Sequence, residues 1–194
     1  MSAQDVIQQV YREIGLSATA TFSDTSYEAA QVINEINEGG KDIAARAEWS
    51  KLFGAFTATA GATSAPLPAD MQEMADTGVV SVDCMAYRPV TSPELWALLS
   101  RSPSSAGYYH LRGGNILFSP ALPEDATITY LSKNWVDGGK NRITDDGDIL
   151  LIPERLVARA GIWRWNRLKG FAYDDLMAEF EADLETYIKA DRGA

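Results

Sequence analysis

The stretch from Ile149 to Ala190 constrains this chain most. The run ILLIPERLVARAGIWRWNRLKG reads as one helix with Gly170 as its stop, and YDDLMAEFEADLETYIKA reads as a second. The first carries Arg155, Arg159, Arg164, Arg167 and Lys169 against Glu154 alone. The second carries Asp174, Asp175, Glu179, Glu181, Asp183 and Glu185 against Lys189 alone. A cationic helix therefore runs straight into an anionic one. Two geometries satisfy such a pair. The helices fold back on each other as an antiparallel hairpin across Gly170, or the cationic helix of one subunit meets the anionic helix of the next in a heterologous contact. Tyr173, Leu176, Met177, Phe180, Leu184, Tyr187 and Ile188 share one stripe of the last helix, which suits a domain core or a helix laid into a groove. Trp163 shares a face with Leu156 and Ala160 and reads as core. Trp165, two residues on, points elsewhere, toward a partner or a second layer.

The N-terminal part is also helical. Val6, Ile7, Val10 and Ile14 recur at helical spacing from Ala3, and Gly15 supplies the stop. A second helix opens near Thr25, where Thr25-Ser26-Tyr27-Glu28 matches a capping box. Ala29, Val32, Ile33, Ile36, Gly40, Ile43 and Ala47 line its apolar face. Gly39-Gly40 within that face costs about 1 kcal/mol per glycine relative to alanine. The apolar period continues in phase on both sides of the pair, so close approach of another backbone is expected rather than a kink.

After Trp49 the pattern turns to β. Phe53 to Thr59 and Ala126 to Leu131 alternate, Gly61 to Ser64 is a turn, and Val79 to Val90 reads as one or two strands. Leu67-Pro68-Ala69-Asp70 leads into what reads as a short helical turn, MQEM. Ser92 caps a short helix with Pro93 at its first position and Leu95, Trp96, Leu98 and Leu99 as its apolar residues. Tyr108 to Leu111, Gly113-Gly114 and Ile116 to Phe118 form a hairpin signal. Residues 137–148 are polar and turn-rich. The expected fold is α+β: a helical bundle built from residues 1–50 and 149–194, with an antiparallel, sandwich-like β domain inserted at 51–148. Insertions are tolerated at exposed connections of this kind.

Residues that carry chemistry are sparse. His110 is the only histidine, and no G-x-S-x-G elbow accompanies it. A strand histidine facing solvent or a neighbouring aromatic is the expectation. One cysteine and one histidine cannot build a zinc site of the usual kind. Cys84 excludes an intramolecular disulfide and sits in an apolar run as a structural thiol. Asp145-Asp146-Gly147-Asp148 resembles part of a calcium loop, but Arg142 falls on its first ligand position, so an acidic turn is expected instead. Gly39-Gly40-Lys41 and Gly138-Gly139-Lys140 do not fit a phosphate loop. The expectation is no catalytic, cofactor or metal site. A net charge of −10 disfavours non-specific DNA binding, which needs a cationic face. The N-terminus lacks the pattern of a signal peptide, and no stretch approaches the roughly 20 apolar residues of a membrane-spanning helix.

Four stretches, in this order, resemble the head-to-tail adaptor (connector) proteins of tailed bacteriophages and gene transfer agents. They are VINEINEGGKDIAARAEW in the second helix, LPADMQEM, the run YYHLRGGNILFSPALPEDATITYLSKNW with its Thr127-Ile128-Thr129-Tyr130 strand, and Ile152-Pro153-Glu154 before the third long helix. The resemblance covers nearly the whole chain. It implies a structural virion protein without catalysis, assembled in the bacterial host cytoplasm and placed at the head-to-tail interface. Members form dodecameric rings beneath the portal protein, extend the DNA channel, and give the tail or a nozzle/stopper protein its platform. DNA passes through the lumen without specific binding, and an acidic wall suits that. The C-terminal grip on the portal corresponds to Glu179 through Ala194 here. Candidate contacts to portal or neighbouring subunits are Arg164, Trp165, Arg167, Glu179, Asp183 and Tyr187. A different reading treats the aromatic-rich β region as a carbohydrate- or ligand-binding face using Tyr109 or Trp135. A third uses His110 in an enzyme.

Overall fold

A computed structural model describes residues 2–16, 21–24, 26–81, 86–101 and 106–193. Thr25 and Cys84, both singled out above, lie outside them. The chain divides into two compact units. One joins Met1–Leu52 to Lys133–Ala194, and the other is Phe53–Ser132.

The first unit is helical: α1 (Ala3–Glu13), α2 (Tyr27–Ala45), α4 (Glu154–Lys169) and α5 (Asp174–Asp191). Each of α1, α2 and α5 packs on α4. A helix covered from several sides must bury more than one narrow stripe. That is what α4 supplies, burying Leu156, Val157, Ala158, Ala160, Gly161, Ile162, Trp163 and Trp165. Helix α1 ends at Gly15, whose φ of 77° is the left-handed cap conformation, with the Leu16 N–H on the Tyr11 carbonyl at 2.8 Å. The described cap of α2 is Ser26, whose hydroxyl accepts from the Ala29 N–H at 3.3 Å. Helix α2 runs through Gly39-Gly40 without a break, and both glycines meet neighbours. A β-carbon at position 39 would stand 2.7 Å from the Ala160 β-carbon, and one at position 40 would overlap the Trp135 ring. The close approach expected from the sequence is therefore present.

Residues 133–148, grouped with the β insertion by their turn-rich sequence, pack in the helical unit. The reason is burial. Trp135 is fully buried over Gly40, and the Asn37 amide brackets the Ile143 backbone, accepting from its N–H at 2.7 Å and donating to its carbonyl at 3.3 Å. The same segment closes the N-terminus of α1. The Ala3 and Gln4 N–H groups, which have no partner inside the helix, donate to the Asp148 and Asp146 carbonyls at 2.9 and 3.1 Å.

The second unit holds β1 (Phe53–Ala58), β2 (Ser64–Pro66), β3 (Met71–Ser81), β4 (Ala86–Pro89), the helix α3 (Pro93–Leu99), β5 (Tyr108–Arg112), β6 (Asn115–Ser119) and β7 (Ala126–Ser132). The strands form a seven-stranded sheet in the order β1-β7-β3-β4-β5-β6-β2. All pairs are antiparallel except β4 with β5, which is parallel. Parallel neighbours need a crossover, and α3 lies within it. One apolar cluster takes Ala58 from β1, Ile128 from β7, Tyr87 from β4, Tyr109 from β5 and Phe118 from β6. Strands from opposite ends of the order share this core, so the sheet curls around it, as the sandwich-like expectation requires. The β5–β6 hairpin turns on Gly113 and Gly114 at φ of 59° and 76°, the conformation a two-residue turn demands.

One local expectation fails. MQEM is not a helical turn but the start of β3. Strand β7 is paired on one side by β1, and its other side needs a ladder as well. Strand β3 supplies it, with Met74 opposite Tyr130. Asp70 anchors the start, its carboxylate accepting from the Tyr130 hydroxyl at 3.2 Å and the Ser132 hydroxyl at 2.8 Å.

Candidate interaction surfaces

The cationic and anionic helices meet within one subunit. Gly170 caps α4 at φ 75°, the Phe171 N–H returns to the Asn166 carbonyl at 2.9 Å, and α5 folds back along α4. Arg159 reaches Asp183 at 3.0 Å and Glu179 at 3.5 Å, and Arg155 reaches Asp183 at 3.5 Å. The remaining cations of α4 turn to other partners of the same unit. Arg164 pairs with Asp42 of α2 at 3.2 Å and lies over the Trp163 ring, as does Arg167. The Lys169 ammonium stands 4.3 Å above the Trp165 ring and donates to the Gln31 amide oxygen at 2.8 Å. On α5, Glu181 takes a two-pronged contact from Arg46 at 2.6 and 2.8 Å. Donating this hydrogen bond to Glu181 raises the Arg46 pKa further, so the guanidinium stays charged.

This arrangement places the candidate contact residues one by one. Trp165 is 4% exposed. It is covered inside the subunit, with the Lys169 ammonium above its ring. Arg164, Arg167, Glu179 and Asp183 make the contacts just described, and Arg167 and Glu179 stay exposed while doing so. Tyr187 is half-buried. The solvent face of α5 keeps Asp174, Asp175 and Glu185, the last paired with Lys189 at 3.6 Å. Of the exposed apolar side chains of the helical unit, Leu168, Phe171 and Met177 flank the hairpin turn, while Tyr27 and Ile149 lie elsewhere in the chain. Periodicity puts Met177 on the apolar stripe of the last helix but misses Leu168 and Phe171, although apolar residues flanking a helix-stop glycine are a signal that could have found them.

The residues named for chemistry take structural roles. His110 is buried, its Nδ1 donating to the Val90 carbonyl at 2.7 Å and its ring stacked on Trp96 at 5.4 Å. The expected neighbouring aromatic is thus Trp96. Asp145 and Asp148 are salt-bridged to Lys140 at 3.0 and 2.7 Å, an acidic turn closed by its own lysine. Tyr109 and Trp135, the platform of the carbohydrate reading, are 5% and 0% exposed. A stacking face must be open, and these two are not.

Among the described residues, no helix is long and apolar enough to cross a membrane. No curated protein matches the chain. A family model described as SU10 adaptor protein matches residues 1–194.

Proposed function

The chain belongs to the SU10 adaptor protein family over its whole length, and we propose that it forms a ring, dodecameric in stoichiometry, beneath the portal of a tailed phage. As a family member it is a structural phage adaptor and a component of the virion. In the proposed ring it binds the portal protein on one side, extends the DNA channel, and offers the tail or a nozzle/stopper protein its platform. Assembly takes place in the host cytoplasm before the tail is added.

The whole-length family match carries this reading. Two physical features support it. Arg155 and Arg159 of α4 pair with acidic residues of α5 inside one subunit, so the helical unit holds its last two helices together without a neighbour. A net charge of −10 suits a channel wall that phosphates must slide past, since like charge keeps DNA from adhering. We propose that α5 and its exposed acidic residues Asp174, Asp175 and Glu185 face the portal.

The test is to mix the purified chain with its portal protein and image the complex by electron microscopy. Rings of uniform subunit number seated on the portal are expected, together with the chain in mature virions. A chain that stays monomeric with portal and is absent from virions would falsify the reading.

A further inference from the structure

Helix α3 has no buried residue, although it carries Leu95, Trp96, Leu98 and Leu99. Trp96 has a use within the subunit. Its stack on His110 holds α3 against the face of β5 on which His110 lies, and Ser92 and Pro93 start the helix as the sequence predicts. Leu95 and Leu98 are left 47% and 66% exposed. Arg101, also exposed, follows one turn beyond Leu98, to whose carbonyl its N–H donates at 3.2 Å. The helix therefore presents an apolar knob with a cation beside it.

The other face of β5 ends in an apolar cleft. Side chains alternate along a strand, so Leu111 shares the face of Tyr109, the core face, and points away from His110. The core cluster stops short of Leu111, which is 41% exposed. Together with Leu67, Met71 and Met74 it lines a cleft of about 500 Å³, with exposed Glu73 also in its wall. Two methionines make a lining that reshapes around whatever enters.

We propose that α3 of one copy docks in this cleft of the next copy, with Leu98 entering beside Met74 and Leu111, and Arg101 meeting Glu73. The proposal rests on the ring reading above and names the surfaces through which the β units join. The knob and the cleft match in polarity and are opposite in charge. They lie on opposite faces of β5, so they cannot meet within one subunit. Nor does either patch complement itself, which a two-fold dimer requires. A patch that needs a different patch on its partner propagates head to tail, and closes where the rotation per subunit fits. A helix of this length supplies only part of the roughly 1,000 Å² that a stable pair buries, so ring closure adds to its strength.

The experiment uses the full chain, with and without portal protein, and reads assembly by mass photometry. Leu98→Asp removes the knob, and Leu111→Lys blocks the cleft. Both positions are exposed, and unchanged melting curves confirm that the variants fold. Each variant alone is expected to self-associate roughly ten-fold or more weakly than wild type. Mixed in equal amounts, the two variants pair through the one remaining good knob and the one remaining good cleft, and stop at dimers. Glu73→Arg weakens assembly and Arg101→Glu in the same chain restores it, an arm that remains valid if Leu111→Lys does not fold. Rings from wild type together with equally good rings from every variant overturn the contact and leave the ring standing. A wild-type chain that stays monomeric with and without portal overturns the ring and the contact with it.

Discussion

Gly39 of α2 rests on Ala160 of α4 so closely that a β-carbon at position 39 would stand 2.7 Å from that of Ala160. Real β-carbons do not come so near, so Gly39→Ala must push the helices apart. Overpacking of this kind costs about 1–3 kcal/mol, offset by about 1 kcal/mol of improved helix propensity. Gly40→Ala is expected to cost more, because its β-carbon would overlap the fully buried ring of Trp135. Gly147 has open space around it, so Gly147→Ala serves as a neutral control. Urea unfolding followed by tryptophan fluorescence checks the order, since Trp49, Trp135, Trp163 and Trp165 all lie in the helical unit. A Gly40→Ala midpoint equal to that of Gly147→Ala would remove the close-packing account.

The Lys140 knot gives the helical unit a pH dependence. Burial pushes the Asp148 pKa up, but the Lys140 ammonium and the Thr144 and Asp145 N–H groups outweigh it and hold the carboxyl below its usual range. Lys140 also lowers Asp145, helped by the Thr144 hydroxyl. A carboxyl depressed in the folded state contributes stability above its unfolded pKa, near 3.9, and loses it as pH falls through the lower folded value. Asp148, then Asp145, raises the Lys140 pKa, so the ammonium's contribution is complete below its unfolded pKa and is lost as pH rises through the folded one. The urea midpoint should therefore drop below about pH 4 and again at strongly alkaline pH. Asp148→Asn should flatten the acid limb. Acid limbs of equal slope in wild type and Asp148→Asn would show that the knot does not link folding to protons.

Asp70 makes a separate prediction for the β unit. Its carboxylate is the acceptor for both Tyr130 and Ser132 on β7, and Tyr130 is 8% exposed. Removing an acceptor from a buried donor costs about 1–3 kcal/mol. Asp70→Ala should speed hydrogen exchange at β3 and β7 amides, and Asp70→Asn, which keeps one acceptor oxygen, should do so less. Exchange confined to the Met71 end, with β7 unchanged, would mean that Asp70 anchors the turn alone.

Features settled by neighbours in sequence were legible from it. The helix stop at Gly15, the Ser92-Pro93 start of α3, the Gly113-Gly114 hairpin and the closely packed glycine pair of α2 each rest on a backbone angle or an uninterrupted apolar period. Features settled by how many neighbours an element has were not. Periodicity places Trp163 and Trp165 on different faces of α4, but it cannot count the helices that cover those faces, so burial of both was hidden. MQEM carries helix-forming residues, yet the unpaired side of β7 makes it a strand. Residues 133–148 look like a loop of the insertion because their polar turns outnumber Trp135 and Ile143, the two side chains that bind them to the bundle. The knob of α3 was visible as four apolar residues, but not that the subunit would bury none of them.

Arg159 bridges Asp183 and Glu179, and this contact decides whether the opposite charges of the last two helices act inside one subunit or between two. A bridge inside the chain couples its ends whatever the protein concentration. A double-mutant cycle with Arg159→Ala and Asp183→Ala should give a coupling of about 0.5–1 kcal/mol, in the range of partly exposed ion pairs. The coupling should shrink with added salt and stay the same as the protein concentration is raised. It should also stay modest, because Arg155 remains 3.5 Å from Asp183 when Arg159 is removed. Coupling that is absent in dilute monomer and appears only on assembly would assign the bridge to neighbouring subunits, and the within-subunit hairpin of α4 and α5 would lose its electrostatic basis.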